Sequence, residues 1–295
     1  MLYLWGRLGR ILELITENLD SQTIKSHNVS YQSENIAKDL FEIASEQRLN
    51  ILFKLYEKKS TISVIAKELE ATVPEVFRNF ERLAKAGLIE KDSEGAYGLT
   101  IYGKTLCIQI PSLVFISQQK KYFKNHNFGN LQTKFIQRIG SLESGQHIKG
   151  VVKIMEKWKE VYKNADKYIY NILSEVPYTK DVIEELVSKL NKGIKVKSIF
   201  SESSILPNER KEVLEKFQLK KYINDEILER RMLKDVQVAV ILNEKEACLL
   251  FPNQDAEVDM SEMLYSSEPQ FLEWCLDYFQ QCWMDSHTFQ ERILK

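Results

Sequence analysis

Neither sign of charge is in excess in this 295-residue chain, where 41 Lys and Arg stand against 42 Asp and Glu for a net charge of −1. No global field draws it to nucleic acid or to an anionic membrane, so any nucleic-acid contact must be built locally. Histidine and cysteine are scarce, four of each. Cys107, Cys248, Cys275 and Cys282 show no C-x-x-C and no zinc-like His/Cys spacing, which argues against a structural zinc and against a secreted disulfide framework. Cys275 and Cys282, seven apart on one helix, sit about 10 Å apart along its axis, too far for a disulfide, so core packing is their expected role. Long apolar runs are missing as well. Nothing approaches the roughly 20 residues that span a bilayer, and the N-terminus has no small-residue cleavage pattern. The expectation is a soluble, cytoplasmic protein with no membrane partner. G-x-x-x-x-G-K-[ST], G-x-G-x-x-G and H-E-x-x-H are absent, so no nucleotide, dinucleotide or metal cofactor is expected.

What is present is a device of four parts in fixed order over residues 62–104. Ile62, Ile65, Ala66 and Leu69 recur at helical spacing, and Ala71-Thr72-Val73 breaks the run. Pro74 stands where a first helical turn tolerates a missing N–H. The helix after Thr72 is expected to bury Val76, Phe77, Phe80, Leu83 and Ala84 while Arg78, Arg82 and Lys85 share another face. Gly87 ends it, Leu88–Lys91 and Ala96–Leu99 read as two strands across a Ser93-Glu94-Gly95 turn, and Thr100 caps the next helix. This is the pattern of a winged helix-turn-helix. On that pattern the expected DNA contacts are Arg78, Asn79 and Arg82 on bases, with Asn79 able to pair with adenine, and Lys85 and Lys91 on phosphates; Thr72, at the helix start, joins the candidate DNA-binding set. The bland reading is a helical core motif that never meets DNA.

AGLIEK, then a polar turn, then YGLTIYGK, in that order over roughly residues 40–104, resembles the winged-helix domains of archaeal ArsR-like transcription regulators. The resemblance implies a dimeric DNA reader. Local charge speaks the other way: residues 40–104 carry ten basic and ten acidic side chains, and the expected wing tip bears Asp92 and Glu94. One copy should bind a duplex weakly, and a homodimer doubles its phosphate contacts.

The rest of the chain frames this device. Residues 1–33 read as an amphipathic helix over 1–19, with Leu4, Leu8, Ile11, Leu12, Ile15 and Leu19 on one face, and a polar linker; packing or dimerisation is favoured over a membrane role by Glu13 and Glu17 among its cations. Residues 34–104 are the winged-helix domain. Residues 105–146 read as connecting and dimerisation helices, because Leu106, Ile110, Leu113 and Val114 form a stripe that a winged helix alone does not cover. Residues 147–295 read as an α/β effector-sensing domain: a helix over about 147–164, a strand over 168–173, a helix over 179–191, a strand over 194–200, a helix from Leu206 to about Phe217, a hairpin of 236–242 with 245–251, and a helix over 268–286.

That order, with RRMLKDVQVAVILNEKEACLLFPN and the FLEWCLDYFQQCW ending, resembles the effector domain of archaeal TrmB-like regulators, which have a phospholipase-D-like fold without its catalysis. The fold class is therefore read as multidomain α+β and α/β: N-terminal winged helix, helical dimerisation connector, and C-terminal phospholipase-D-like sensor of an unidentified small molecule or partner. Phospholipase-D chemistry needs a histidine nucleophile in H-x-K-x(4)-D spacing. His147-Ile148-Lys149 begins that pattern, but the aspartate position is Ile154, so no catalytic residue and no enzyme is expected. Candidate ligand contacts are Arg230 and Arg231, suited to an anion, with Tyr168 and Tyr170; the bland reading pairs the arginines with Glu226 and Glu229. The rival reading of the whole is a protein-interaction module of the transcription machinery.

Overall fold

The computed structural model describes residues 33–175, 180–204 and 215–290. The helix expected over 1–19, nearly all of its linker, and most of the helix expected from Leu206 lie outside the described residues. The chain divides into two compact units, Met1–Pro111 and Ser112–Lys295.

In the first unit, helices α1 (Ser33–Ile43) and α2 (Glu46–Glu57) precede α3 (Ile62–Glu68) and α4 (Val73–Lys85), strands β1 (Ile89–Lys91) and β2 (Tyr97–Leu99), and the start of α5 (Ile101–Gln118). Ile51, Leu52, Leu55, Ile65, Val76, Phe80, Leu83 and Leu88 form its core, with Phe80 edge-on to Tyr97 at 4.8 Å between centroids. α4 stops in a Schellman-type cap: Gly87 takes the left-handed φ of 70° and the Leu88 amide donates to the Leu83 carbonyl at 3.0 Å. Thr100 caps α5 as its sequence suggests, accepting from the Gly103 amide at 3.0 Å. Gly103 has a second reason to be glycine, since a Cβ there would lie 2.0 Å from the Leu88 carbonyl oxygen. Ser60 pairs with Tyr97 by two backbone bonds of 3.0 and 2.9 Å, which adds a one-residue third strand to the hairpin.

α4 differs from expectation on one side. Val76, Phe80 and Leu83 are buried, but Phe77 is 45% exposed and Ala84 is exposed too. Each residue turns a helix by about 100°, so Phe77, one on from Val76, leaves the core face and joins the charged one.

The second unit is a mixed eight-stranded sheet of order β10-β6-β5-β4-β7-β8-β9-β3. Its strands are β3 (Gln146–Lys149), β4 (Tyr168–Leu173), β5 (Lys195–Ser201), β6 (Leu228–Leu233), β7 (Ala239–Asn243), β8 (Ala247–Leu250), β9 (Glu262–Ser266) and β10 (His287–Thr288). β4, β5 and β6 run parallel, and every other pairing is antiparallel. The described helices of this unit are α6 (Thr133–Gln137), α7 (Val151–Asn164), α8 (Lys180–Asn191), α9 (Leu219–Asn224) and α10 (Pro269–Asp285).

Both faces of the sheet are covered, which explains why β7 reads as an unbroken apolar run. Val240 and Leu242 point to the cluster that holds Phe271, Trp274 and Phe279 of α10, whereas Ala239 and Ile241 point to that of Ile154, Trp158 and Val161 of α7. The segment between α5 and β3 belongs to the first of these cores, through Tyr122, Phe135, Ile139 and Leu142, beside Phe115 of α5. Trp274 fixes it by donating its indole N–H to the Phe135 carbonyl at 3.1 Å. The helix expected over 147–164 begins later than its periodicity suggests: Gln146–Lys149 pairs with β9 instead, and Gly150, at φ 101°, makes the turn into α7. The β7–β8 hairpin lies where expected, and buried Asn243 closes it by accepting from the Lys245 and Glu246 amides at 2.6 and 2.9 Å.

Candidate nucleic-acid interface

The exposed face of α4 carries Val73, Pro74, Phe77, Arg78, Glu81, Arg82, Ala84 and Lys85. Arg78 and Lys85 make no hydrogen bond or ion pair with any described residue, so both cations are available to a partner. Thr72 occupies the N-cap position with extended backbone and no side-chain capping bond.

Asn79 and Arg82, expected to face bases, are engaged inside the unit. Asn79 donates to the Gln47 side chain at 2.5 Å. Arg82 grips the Glu42 carboxylate with two bonds of 2.9 and 2.8 Å and lies 5.7 Å from the Phe41 ring centroid. The bonds to Glu42 hold its pKa above the ordinary arginine value. Glu42 also meets the buried Arg48 at 3.3 Å, while Arg48 donates to the Glu42 and Phe41 carbonyls. Burial, then the nearby Arg82 charge, lower the Arg48 pKa. One carboxylate on α1 thus ties α2 and α4 together.

The wing acids resolve in a similar way. Asp92 is the keystone of the turn: it accepts from the Glu94 and Ala96 amides at 3.1 and 3.0 Å and pairs with Lys59 at 3.3 Å. Partial burial opposes its ionisation, but those amides and Lys59 outweigh it and keep the pKa below the usual carboxylate range. Gly95 supplies the left-handed φ of 90°. Lys91 extends over the Tyr97 ring, 5.7 Å from its centroid. Glu94 alone remains an exposed negative charge at the tip.

In the second unit, the four expected ligand residues are packed against aromatic rings. Tyr168 stacks on Tyr170 at 4.3 Å and Tyr170 on Phe279 at 4.6 Å. Arg231 donates to the Ser286 carbonyl and lies 5.3 Å from the Trp283 ring, and Arg230 lies 4.2 Å from Phe289. Glu229, offered as an arginine partner, pairs with Lys197 at 3.2 Å. A cleft of about 330 Å³ opens elsewhere, lined by Phe135, Ile172, Lys234, Asp235, Tyr278 and Asp285 among others. Lys234-Asp235 directly follows β6, and a charged pair at a strand end was the one sequence signal for it. His147 lies on the edge strand β3 and bonds Gln119, and Lys149 pairs with Glu262. His126 is buried between the Tyr122 carbonyl and Asp259 at 2.9 and 2.8 Å. Among the described residues no group of His, Cys, Asp and Glu could hold a metal, and no helix is long and apolar enough to cross a membrane.

The helix–turn–helix and first wing strand are thus those of a regulator-type winged helix. Residues 45–91 match the family model described as bacterial regulatory protein, arsR family. A search of curated proteins finds no match. Among solved structures, TrmBL2, described as an archaeal chromatin protein with a novel mode of DNA binding, is 13% identical over 83% of this chain and 94% of its own, with a TM-score of 0.40. Nuc, a phospholipase D family member from Salmonella typhimurium, is 16% identical over 50% of this chain and 99% of its own at 0.37. The homodimeric winged helix-turn-helix DNA-binding domain of a possible ArsR-family regulator from Mycobacterium bovis is 20% identical over 30% of this chain and 84% of its own at 0.28.

Proposed function

We propose that this chain is a dimeric DNA-binding transcription regulator whose first unit places the Arg78 face of α4 in the major groove. The observation that carries this is the unpaired, exposed Arg78 and Lys85 on the second helix of a helix-turn-helix that matches an ArsR-family model. In this reading Arg78 contacts a base edge, Lys85, Lys91 and Thr72 contact phosphates, and Asn79 and Arg82 set the angle of α4 from within. α5 is the dimer element: Ile101 is 89% exposed and Ile108 and Leu113 each 53%, and Lys104 is the only charged residue in its eighteen. The second unit is a non-catalytic, phospholipase-D-like sensor, and the cleft beside Lys234 and Asp235 is the better candidate than the tyrosine stack for a small effector.

The test compares Arg78→Ala with Arg82→Ala in the full-length chain, using a fluorescent duplex from its own upstream region. Arg78→Ala should weaken binding at least tenfold, within the range for losing one bidentate base contact of about 1–3 kcal/mol, with dimer mass unchanged. Equal loss from both variants would contradict the assignment. Exposed Phe77 and Val73 beside Glu81 favour one rival, an interaction module that docks a protein on α4. That reading predicts no salt-sensitive duplex binding at all.

A further inference from the structure

α4 carries two apolar side chains that the fold does not use. Phe77 is 45% and Val73 48% exposed, whereas Val76, Phe80 and Leu83 on the same helix are at most 1% exposed. Val73 and Phe77 are four apart, so they stack along one line of the helix, with Arg78 alongside. All three lie in its N-terminal half, the part of a recognition helix that meets base edges. The one apolar feature of the major groove is the thymine C5-methyl, and side chains as large as Phe contact it. Arg78, without a hydrogen bond or ion pair to any described residue, is suited to a guanine O6/N7 edge. Glu81, one turn further on, is also exposed and would repel a phosphate there, which keeps the middle of α4 over bases rather than backbone.

We propose that Phe77 and Val73 are specificity residues that read thymine methyls next to a guanine read by Arg78, so that each half-site contains a G adjoining one or two T. This rests on the DNA-binding reading above. The bond of Asn79 to Gln47 supports it, because it occupies a polar side chain that would otherwise compete for the same base pairs.

The experiment selects duplexes from a random pool with the full-length protein, then replaces single thymines of the enriched duplex by deoxyuridine, which lacks only the methyl. The expected result is an enriched G–T step and a loss of about four-fold at one or two thymines, the value of one buried methyl. That loss should vanish at one thymine in Phe77→Ala and, where a second is affected, at the other in Val73→Ala; the Phe77→Ala melting temperature should match wild type because the ring is outside the core. Arg78→Ala should relax preference at the guanine and keep the deoxyuridine effect. Equal deoxyuridine losses in wild type and Phe77→Ala, no loss in wild type, or a Phe77→Ala melting temperature lowered by several degrees would each overturn the proposal. Salt-sensitive binding without enrichment would overturn it and leave DNA binding in place, whereas no binding to any duplex would overturn both.

Discussion

Replacing Glu42 by Ala should loosen the first unit more than replacing its most visible partner, Arg82. The Glu42 carboxylate accepts two bonds from Arg82, but the Arg82 side chain is 46% exposed, so solvent screens that arm and it contributes about 0.2–1 kcal/mol. The other arm reaches Arg48, whose side chain is only 9% exposed. Without the carboxylate, Arg48 keeps its two carbonyl acceptors and loses its counter-charge, and a partner lost to a buried charged group costs about 1.5–3 kcal/mol. Glu42→Ala should therefore destabilise by about 2–3 kcal/mol and Arg82→Ala by under about 1 kcal/mol. Hydrogen exchange of amides in 73–85, read by mass spectrometry on the full-length protein, gives both values as opening free energies. The same Glu42→Ala change frees the Arg82 guanidinium and deletes an acid, so duplex affinity, measured where the protein is folded, should rise while stability falls. Equal destabilisation by the two variants, or affinity that falls with stability, would refute the view of Arg82 as a scaffold cation.

Gly103→Ala should cost more than the usual penalty of a helix-start substitution, because its Cβ meets the Leu88 carbonyl at 2.0 Å; calorimetry should show loss of at least about 2 kcal/mol in the winged-helix unit, within the range of overpacking effects. His287 is held by Glu202 at 2.7 Å, and that bond, with one to the Thr288 carbonyl, raises its pKa above 6.5. Its contribution is thus fully present below the unfolded histidine pKa and is lost as pH rises through the higher folded value. The melting temperature should carry a small decline with pH just above 6.5 that disappears in His287→Gln.

How much of this was legible in the sequence varies with the distance over which a residue's fate is decided. The helix-turn-helix, the wing and its caps were readable because each is set within a few residues: Pro74 starts α4, Gly87 ends it, and Thr100 caps α5. The aromatic face of α10 was readable from its period. The wing acids misled because Asp92 bonds backbone amides two and four residues on, a use that charge counting does not see. The partners of Asn79 and Arg82 were not legible because Gln47 and Glu42 lie 32 and 40 residues earlier, and helical periodicity reports a face without saying what meets it. The strands β3, β6, β9 and β10 were missed since they mix polar with apolar residues, β6 as Leu228-Glu229-Arg230-Arg231-Met232-Leu233; β3 and β10 are the outer edges of the sheet, where one side needs no partner. The continuous apolar β7, buried on both faces, was the easier strand to find.

The central claim, that the first unit binds duplex DNA through phosphates and bases, is tested most directly by the salt dependence of binding. The full-length protein would be titrated into a fluorescent duplex from its own upstream region at about 50 and 200 mM salt. A dimer that places Lys85 and Lys91 of each copy on phosphates neutralises roughly four of them, and the neutral Thr72 adds none, so affinity should fall about a hundredfold across that interval. An affinity that hardly changes with salt, or no binding by a folded dimer, would contradict the account and leave the exposed face of α4 to a protein partner.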